Sequence, residues 1–154
     1  GIHSGIAKTS LWINKQYPYF KELVSLILDN YEVWSFGKSH EVLSEAVNKT
    51  GTDLIQTIEN MMKCNLFIAN DTGLLQIADI LGIPSIAIFG PTSLIKNSPM
   101  AKTTKVLKAD LHCSPCQYSP KQTKCKNNIC MQKVTPEEIA LNIKNILKKQ
   151  KDII

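Results

Sequence analysis

The sequence predicts an α/β fold, a doubly wound domain around a parallel sheet. Short apolar runs alternate with longer amphipathic ones along all 154 residues. Two of the short runs, 66–69 and 85–89, are apolar but for the opening Ser85, as strands covered on both faces require. Each is followed by a turn of small residues, Asn70-Asp71-Thr72-Gly73 and Gly90-Pro91-Thr92. In such a sheet ligands bind beyond the carboxyl ends of the strands, near the point where strand order reverses.

The elements follow in order. Gly1-Ile2-His3 reads as the end of a strand, and a polar loop runs on to about Lys15. Between Pro18 and Asp29, the residues Phe20, Leu23, Val24, Ile27 and Leu28 recur at helical spacing and predict a helix packed on the sheet. Residues 31–36, with Tyr31, Val33, Trp34 and Phe36, read as a strand by β-branched and aromatic content, which Gly37 ends. Val42, Leu43, Ala46 and Val47 share one face of a helix expected from about Ser39 to Asn48. Asp53-Leu54-Ile55 is read as a weak strand and 57–63 as a short helix. After the strand at 66–69, a helix is expected over 74–81, closed by Gly82. The strand at 85–89 comes next, and then another at 104–108. The last helix, about 136–149, opens on Thr135 as N-cap, Pro136 at the first position and Glu138 as partner in a capping box. Ile139, Ile143, Ile146 and Leu147 form its core stripe.

Composition narrows the class. With 44% hydrophobic and 20% charged residues the chain has the balance of one globular domain spanning 1–154. Seven Gly and seven Pro exclude collagen-like and low-complexity classes. No apolar run approaches the roughly 18 residues of a spanning helix. The opening Gly1-Ile2-His3-Ser4-Gly5 carries no secretory signal and no initiator Met, so the chain reads as one piece of a longer protein. Five cysteines, an odd number, fit a complete disulfide framework poorly and point to the reducing cytosol. The net charge of +5 comes from 18 Lys against 13 acids, with no Arg. It is lopsided: six Lys against nine acids over 1–95, twelve against four over 96–154. The Lys-rich part is either a solvated surface or a contact for an anionic partner, such as a membrane face. With no Arg, and Tyr118 the only aromatic after residue 96, no nucleic-acid partner is expected.

The turn Asn70-Asp71-Thr72-Gly73 stands where a strand gives way to a helix. Free amides and the positive dipole end make such a start an anion site, Gly73 lets a phosphate approach, and Thr72 adds a hydroxyl. Asp71 is there to cap the helix or to accept from sugar hydroxyls, and simple capping explains the turn equally well. Gly90-Pro91-Thr92, at the end of the neighbouring strand, is expected to complete the pocket floor. Cys113-x2-Cys116-x8-Cys125-x4-Cys130, in a loop over 112–130, has the paired spacing of a structural zinc site. Packed thiols, or disulfides formed on oxidation, are the alternatives. Cys64 reads as core, and His3, His40 and His112 as hydrogen-bonding residues.

The run "LFIANDTGLLQIADILGIPSIAIFGPTS" (66–93) resembles the signature region of glycosyltransferase family 9, the heptosyltransferases of the lipopolysaccharide inner core. "GIHSG" is similar to the family's Gly-x-His-x-Gly loop, and "LWINKQYPYFKELVSLI" to the Trp-containing approach to its first helix. "CSPCQYSPKQTKCKNNICM" resembles its cysteine-rich segment before "VTPEEI". The resemblance implies a GT-B fold of two Rossmann-like domains, with this chain as the C-terminal, donor-binding one. It implies an ADP-heptose donor, a lipopolysaccharide core acceptor held by the N-terminal domain, inversion without a catalytic metal, and a place in the cytoplasm or at the inner face of the inner membrane. By resemblance Asp71, Thr72, Gly73 and Leu74 form the donor loop, Glu41 accepts the ribose hydroxyls, and Ser4 and Gly5 line the phosphate side. The pattern departs at Ser10, where the family has Lys and Lys8 is the nearest substitute, and at Gln76, where the family has His. No catalytic residue is expected in this chain, since the base belongs to the N-terminal domain. A non-catalytic sugar-nucleotide module and a transferase for another nucleotide sugar are the alternatives.

Overall fold

The computed structural model describes residues 1–6 and 12–152. Its centre is a six-stranded sheet, all parallel. Strands β1 (Ile2–His3), β2 (Trp34–Phe36) and β3 (Val47–Asn48) form one half, and β4 (Phe67–Asn70), β5 (Ser85–Phe89) and β6 (Thr104–Lys108) the other. Their order is β3-β2-β1-β4-β5-β6, so the direction of winding reverses between β1 and β4. Register there pairs Ile2 with Ile68 and His3 with Ala69.

Alternation along the central strands divides the core into two layers. Ile2, Ile68, Ile86, Ile88 and Leu107 point to one side. There they meet Leu23, Val24 and Ile27 of α1 (Phe20–Ile27) and Ile139 and Ile143 of α7 (Pro136–Lys151). Phe67, Ala69, Ala87 and Phe89 point to the other side, against Met61 of α2 (Leu54–Met61) and Leu75 and Ala78 of α3 (Gly73–Ile80). Three short helices complete the chain: α4 (Leu94–Asn97), α5 (Pro120–Lys124) and α6 (Ile129–Gln132), the last two within or bordering the cysteine-rich segment. Thr135 caps α7 by accepting the Glu138 amide.

Two expected elements differ. Instead of a helix over 39–48 there is a single 3-10 turn, Ser39–Glu41, followed by a second turn at 44–45 and then β3. Val47 pairs with Trp34 of β2, and Glu45 has a left-handed backbone (φ 70) that no helix accommodates. The expected strand at 53–55 is the start of α2, where Asp53 as N-cap accepts the Gln56 amide at 2.9 Å.

Asp79 of α3 is buried and anchors the approach to β6. Its carboxylate accepts from the Met100 amide (2.8 Å), the Ala101 amide (3.0 Å) and the Thr104 hydroxyl (3.1 Å). Asp79→Ala leaves these donors unmatched and should cost about 1–3 kcal/mol in urea unfolding, with Asp79→Asn costing less.

Candidate functional site at the strand carboxyl ends

Where β1 and β4 part, a crevice of about 680 Å³ opens above the sheet, with His3, Lys15, Gly37, Glu41, Thr72 and Gly73 among its lining residues. Thr72 holds the N-cap position of α3 in extended conformation, but its side chain makes no capping bond. At Gly73 an added β-carbon would meet nothing within 4 Å. The start of α3 therefore presents backbone to open space, with the positive end of its dipole behind it.

The Thr72 hydroxyl is engaged elsewhere: Oγ1 lies 3.0 Å from Nδ1 of His3, the buried last residue of β1. On the other side of that ring, Nε2 is 3.6 Å from Oε2 of Glu41. Burial pushes the His3 pKa down, while the Glu41 carboxylate pulls against that shift. Glu41 ends the 39–41 turn and its Oε2 accepts the Lys38 amide at 2.7 Å. Two glycines make room for the carboxylate, since a β-carbon at Gly5 or Gly37 would collide with it. Gly37 also has φ +129, a conformation side chains rarely adopt. Ser4 donates its hydroxyl to the Glu41 carbonyl at 3.1 Å. With Gly5, it lines a smaller neighbouring cavity of about 230 Å³.

Asp71 is buried, accepts from Asn97 Nδ2 at 2.9 Å, and lies 3.9 Å from the Lys15 ammonium. That ammonium also donates to the Asp71 carbonyl (2.5 Å) and sits 4.7 Å over the Trp12 ring. Burial lowers the Lys15 pKa, and Asp71 opposes the shift. Lys15 is the cation that sequence reasoning missed. Its signal in the sequence is its place three residues after Trp12, over whose ring it lies. Lys8 and Ser10 lie outside the described residues. Leu74 lines the main crevice. Gln76 lines a second cavity, of about 580 Å³, on the far side of Gly73 with Trp12, Lys96 and Tyr118. Its amide donates to the Asn97 carbonyl at 3.3 Å.

Gly90-Pro91-Thr92 is not brought to the crevice, so the expected shared floor is corrected. The Pro91 carbonyl accepts the Cys116 and Gln117 amides (3.0 and 2.9 Å), Ser114 donates to the Gly90 carbonyl (2.6 Å), and a β-carbon at Gly90 would strike Met131. The turn is a seat for the cysteine segment. Cys113, Cys116, Cys125 and Cys130 all line one small cavity of about 100 Å³ beside Pro91, and all are free thiols. Their donor chemistry suits zinc, yet among the described residues no three His, Cys, Asp or Glu are grouped as metal ligands. Burial, then the neighbouring thiols, pushes Cys130 up to about 11. In metal-free protein, stripped with a chelator, iodoacetamide at about pH 8 should therefore label Cys130 last, with its rate rising as pH climbs toward that value, as peptide mass mapping would read.

A profile of glycosyltransferase family 9 (heptosyltransferase) matches residues 3–127. Over 120 residues the chain is 32% identical to lipooligosaccharide heptosyltransferase 2 of Campylobacter jejuni serotype O:2, covering 76% of this chain and 36% of that protein. It superposes on E. coli ADP-heptose LPS heptosyltransferase II with a TM-score of 0.78 at 21% identity, covering 98% of this chain and 46% of the other. On the E. coli heptosyltransferase WaaC with ADP the TM-score is 0.70 at 16% identity, with coverage of 94% and 43%. The chain thus spans less than half the length of each of these relatives, and its six-stranded domain matches one part of their GT-B structure. The matched stretch takes in His3, Glu41 and the Asp71-Thr72-Gly73 turn together, and the chain belongs to glycosyltransferase family 9.

Proposed function

We propose that this chain is the donor-binding half of an inverting glycosyltransferase that takes heptose from ADP-heptose to the lipopolysaccharide core. The observation that carries the reading is the uncapped start of α3 at the switch point, open at Gly73 and flanked by Lys15. The amides of Gly73 and Leu74, with the Lys15 ammonium, hold the diphosphate. The Glu41 carboxylate accepts the ribose hydroxyls. Asp71 orients Lys15 and the turn. Glu41 and Thr72 both contact His3, which supports a ribose site and a phosphate site at adjacent-group spacing. As the sugar departs, the negative charge growing on the diphosphate meets preorganised N–H donors. Deprotonation of the acceptor hydroxyl falls to a base on the acceptor domain, so the isolated chain binds nucleotide and transfers nothing.

Two solved relatives support ADP recognition: E. coli WaaC is seen with ADP, and the heptosyltransferase TibC is seen in complex with ADP-D-beta-D-heptose. No described helix is long and apolar enough to cross a membrane. Work at the inner face of a membrane would rest on the Lys-rich 96–154 region. A non-catalytic sugar-nucleotide module, or a transferase for a different nucleotide sugar, is the competing reading.

Calorimetry with ADP, UDP and GDP separates these: ADP should bind most tightly, and a preference for UDP redirects the donor assignment. Asp71→Ala and Gly73→Val should each weaken ADP binding about tenfold or more. Gly73→Val should change thermal unfolding little, whereas Asp71→Ala also lowers the midpoint, because it strands Lys15 and the Asn97 amide. If both bind as the parent does, the pocket is elsewhere. For the four thiols at Pro91 we propose a structural zinc ion, drawn in from the free arrangement. Elemental analysis of protein purified under reducing conditions should find about one zinc per chain.

A further inference from the structure

His3 is buried between two partners that constrain its protons. The Glu41 carboxylate is only an acceptor, so a neutral His3 places its proton on Nε2, facing Oε2 at 3.6 Å. The opposite tautomer would set a lone pair against that carboxylate. Nδ1 is then an acceptor, and the group 3.0 Å from it, the Thr72 hydroxyl, must donate. In that state Thr72 turns only lone pairs toward the crevice, the wrong polarity for a phosphate oxygen.

We propose that His3 is a proton-linked positioning residue for the diphosphate: when an anion enters the crevice, His3 takes a proton from water onto Nδ1, and the Thr72 hydroxyl turns from His3 to the anion. The new Nδ1–H donates to Thr72 Oγ1, so both ring nitrogens are donors and the hydroxyl proton is free. The inference rests on the donor-site reading and adds to it a coupling between nucleotide and proton.

The surroundings favour the neutral ring in the empty crevice. Burial lowers the His3 pKa, and the charged groups nearby are few. From the turn after β2 come Glu41, Lys38 (through its amide) and His40, whose Nε2 is 4.0 Å from the other Glu41 oxygen. From the segment before α1 comes Lys15, held on Asp71 of the turn before α3. A diphosphate adds negative charge next to this set and raises the His3 pKa. The sign follows: ADP affinity rises as pH falls from the His3 pKa of the complex to that of the free chain, and is level below both.

Calorimetry of ADP binding at about pH 7 in PIPES and in Tris measures the protons exchanged. The parent chain should take up close to one proton more than His3→Gln, a difference in which the titration of ADP itself cancels. Should that variant fail to fold, long-range ¹H–¹⁵N spectra of the unaltered chain read His3 directly. They should show the neutral Nε2–H tautomer in the free chain and the imidazolium with ADP bound. ADP binding with His3 still neutral, a free His3 already charged, or equal proton uptake in His3→Gln would each overturn the proposal. If ADP gives no heat and no spectral change, the donor-site reading falls, and this inference falls with it.

Discussion

The binding edge of this domain depends on β1 and β4 lying side by side while the chain leaves them in opposite directions. β1 leads toward β2 and β4 toward β5, so the two connections diverge from the carboxyl ends and leave a crevice between them. Parallel pairing of His3 with Ala69 brings the end of β1 level with the turn after β4. A 3.0 Å contact between residues 69 positions apart, His3 and Thr72, then follows from sheet register. Glu41 arrives by the same logic from β2, the other neighbour of β1.

The side chains gathered there are poorly suited to stabilising the fold. Lys15 and His3 both lose solvation, and each regains it only in part from one carboxylate. Pairs of this kind contribute little net stability, since desolvation offsets attraction. Their value is fixed position. Gly5 and Gly37 leave the Glu41 carboxylate space that a β-carbon at either would occupy, and the Lys38 amide holds one of its oxygens. Stability comes instead from the two apolar layers, where Phe67 and Ile68, adjacent in sequence, serve opposite faces.

Legibility in the sequence tracked how local the cause was. β5 and β6 begin and end where their apolar and β-branched runs do, and α7 starts at its Thr-Pro-Glu signal. The stretch 39–48 misled because Val42, Leu43, Ala46 and Val47 do fall at helical spacing. Pairing of Val47 with Trp34, a contact no local pattern reveals, decides that segment. Asp53 was a readable cap that the β-branched Ile55 obscured. At the site, the Asp71-Thr72-Gly73 turn was legible because strand, turn and helix are contiguous. Lys15 was not, since it depends on how a loop folds onto Asp71; His3 is the hydrogen-bonding residue expected, but its partner Thr72 is set by sheet register. Gly90-Pro91-Thr92 looked equivalent to the first turn, but the cysteine segment packs over it.

The two apolar layers also differ in when a ribosome could complete them. Among the described residues, the layer holding Phe36, Met61, Phe67, Leu75 and Phe89 draws on none beyond Val106. The opposite layer needs Met131, Val134, Ile139 and Ile143, with α7 lying on α1. During synthesis Leu23, Val24 and Ile27 can meet the sheet early, but they lack the cover of α7 until more than a hundred further residues have emerged. A nascent chain halted before Pro136 would expose that greasy stripe to chaperones.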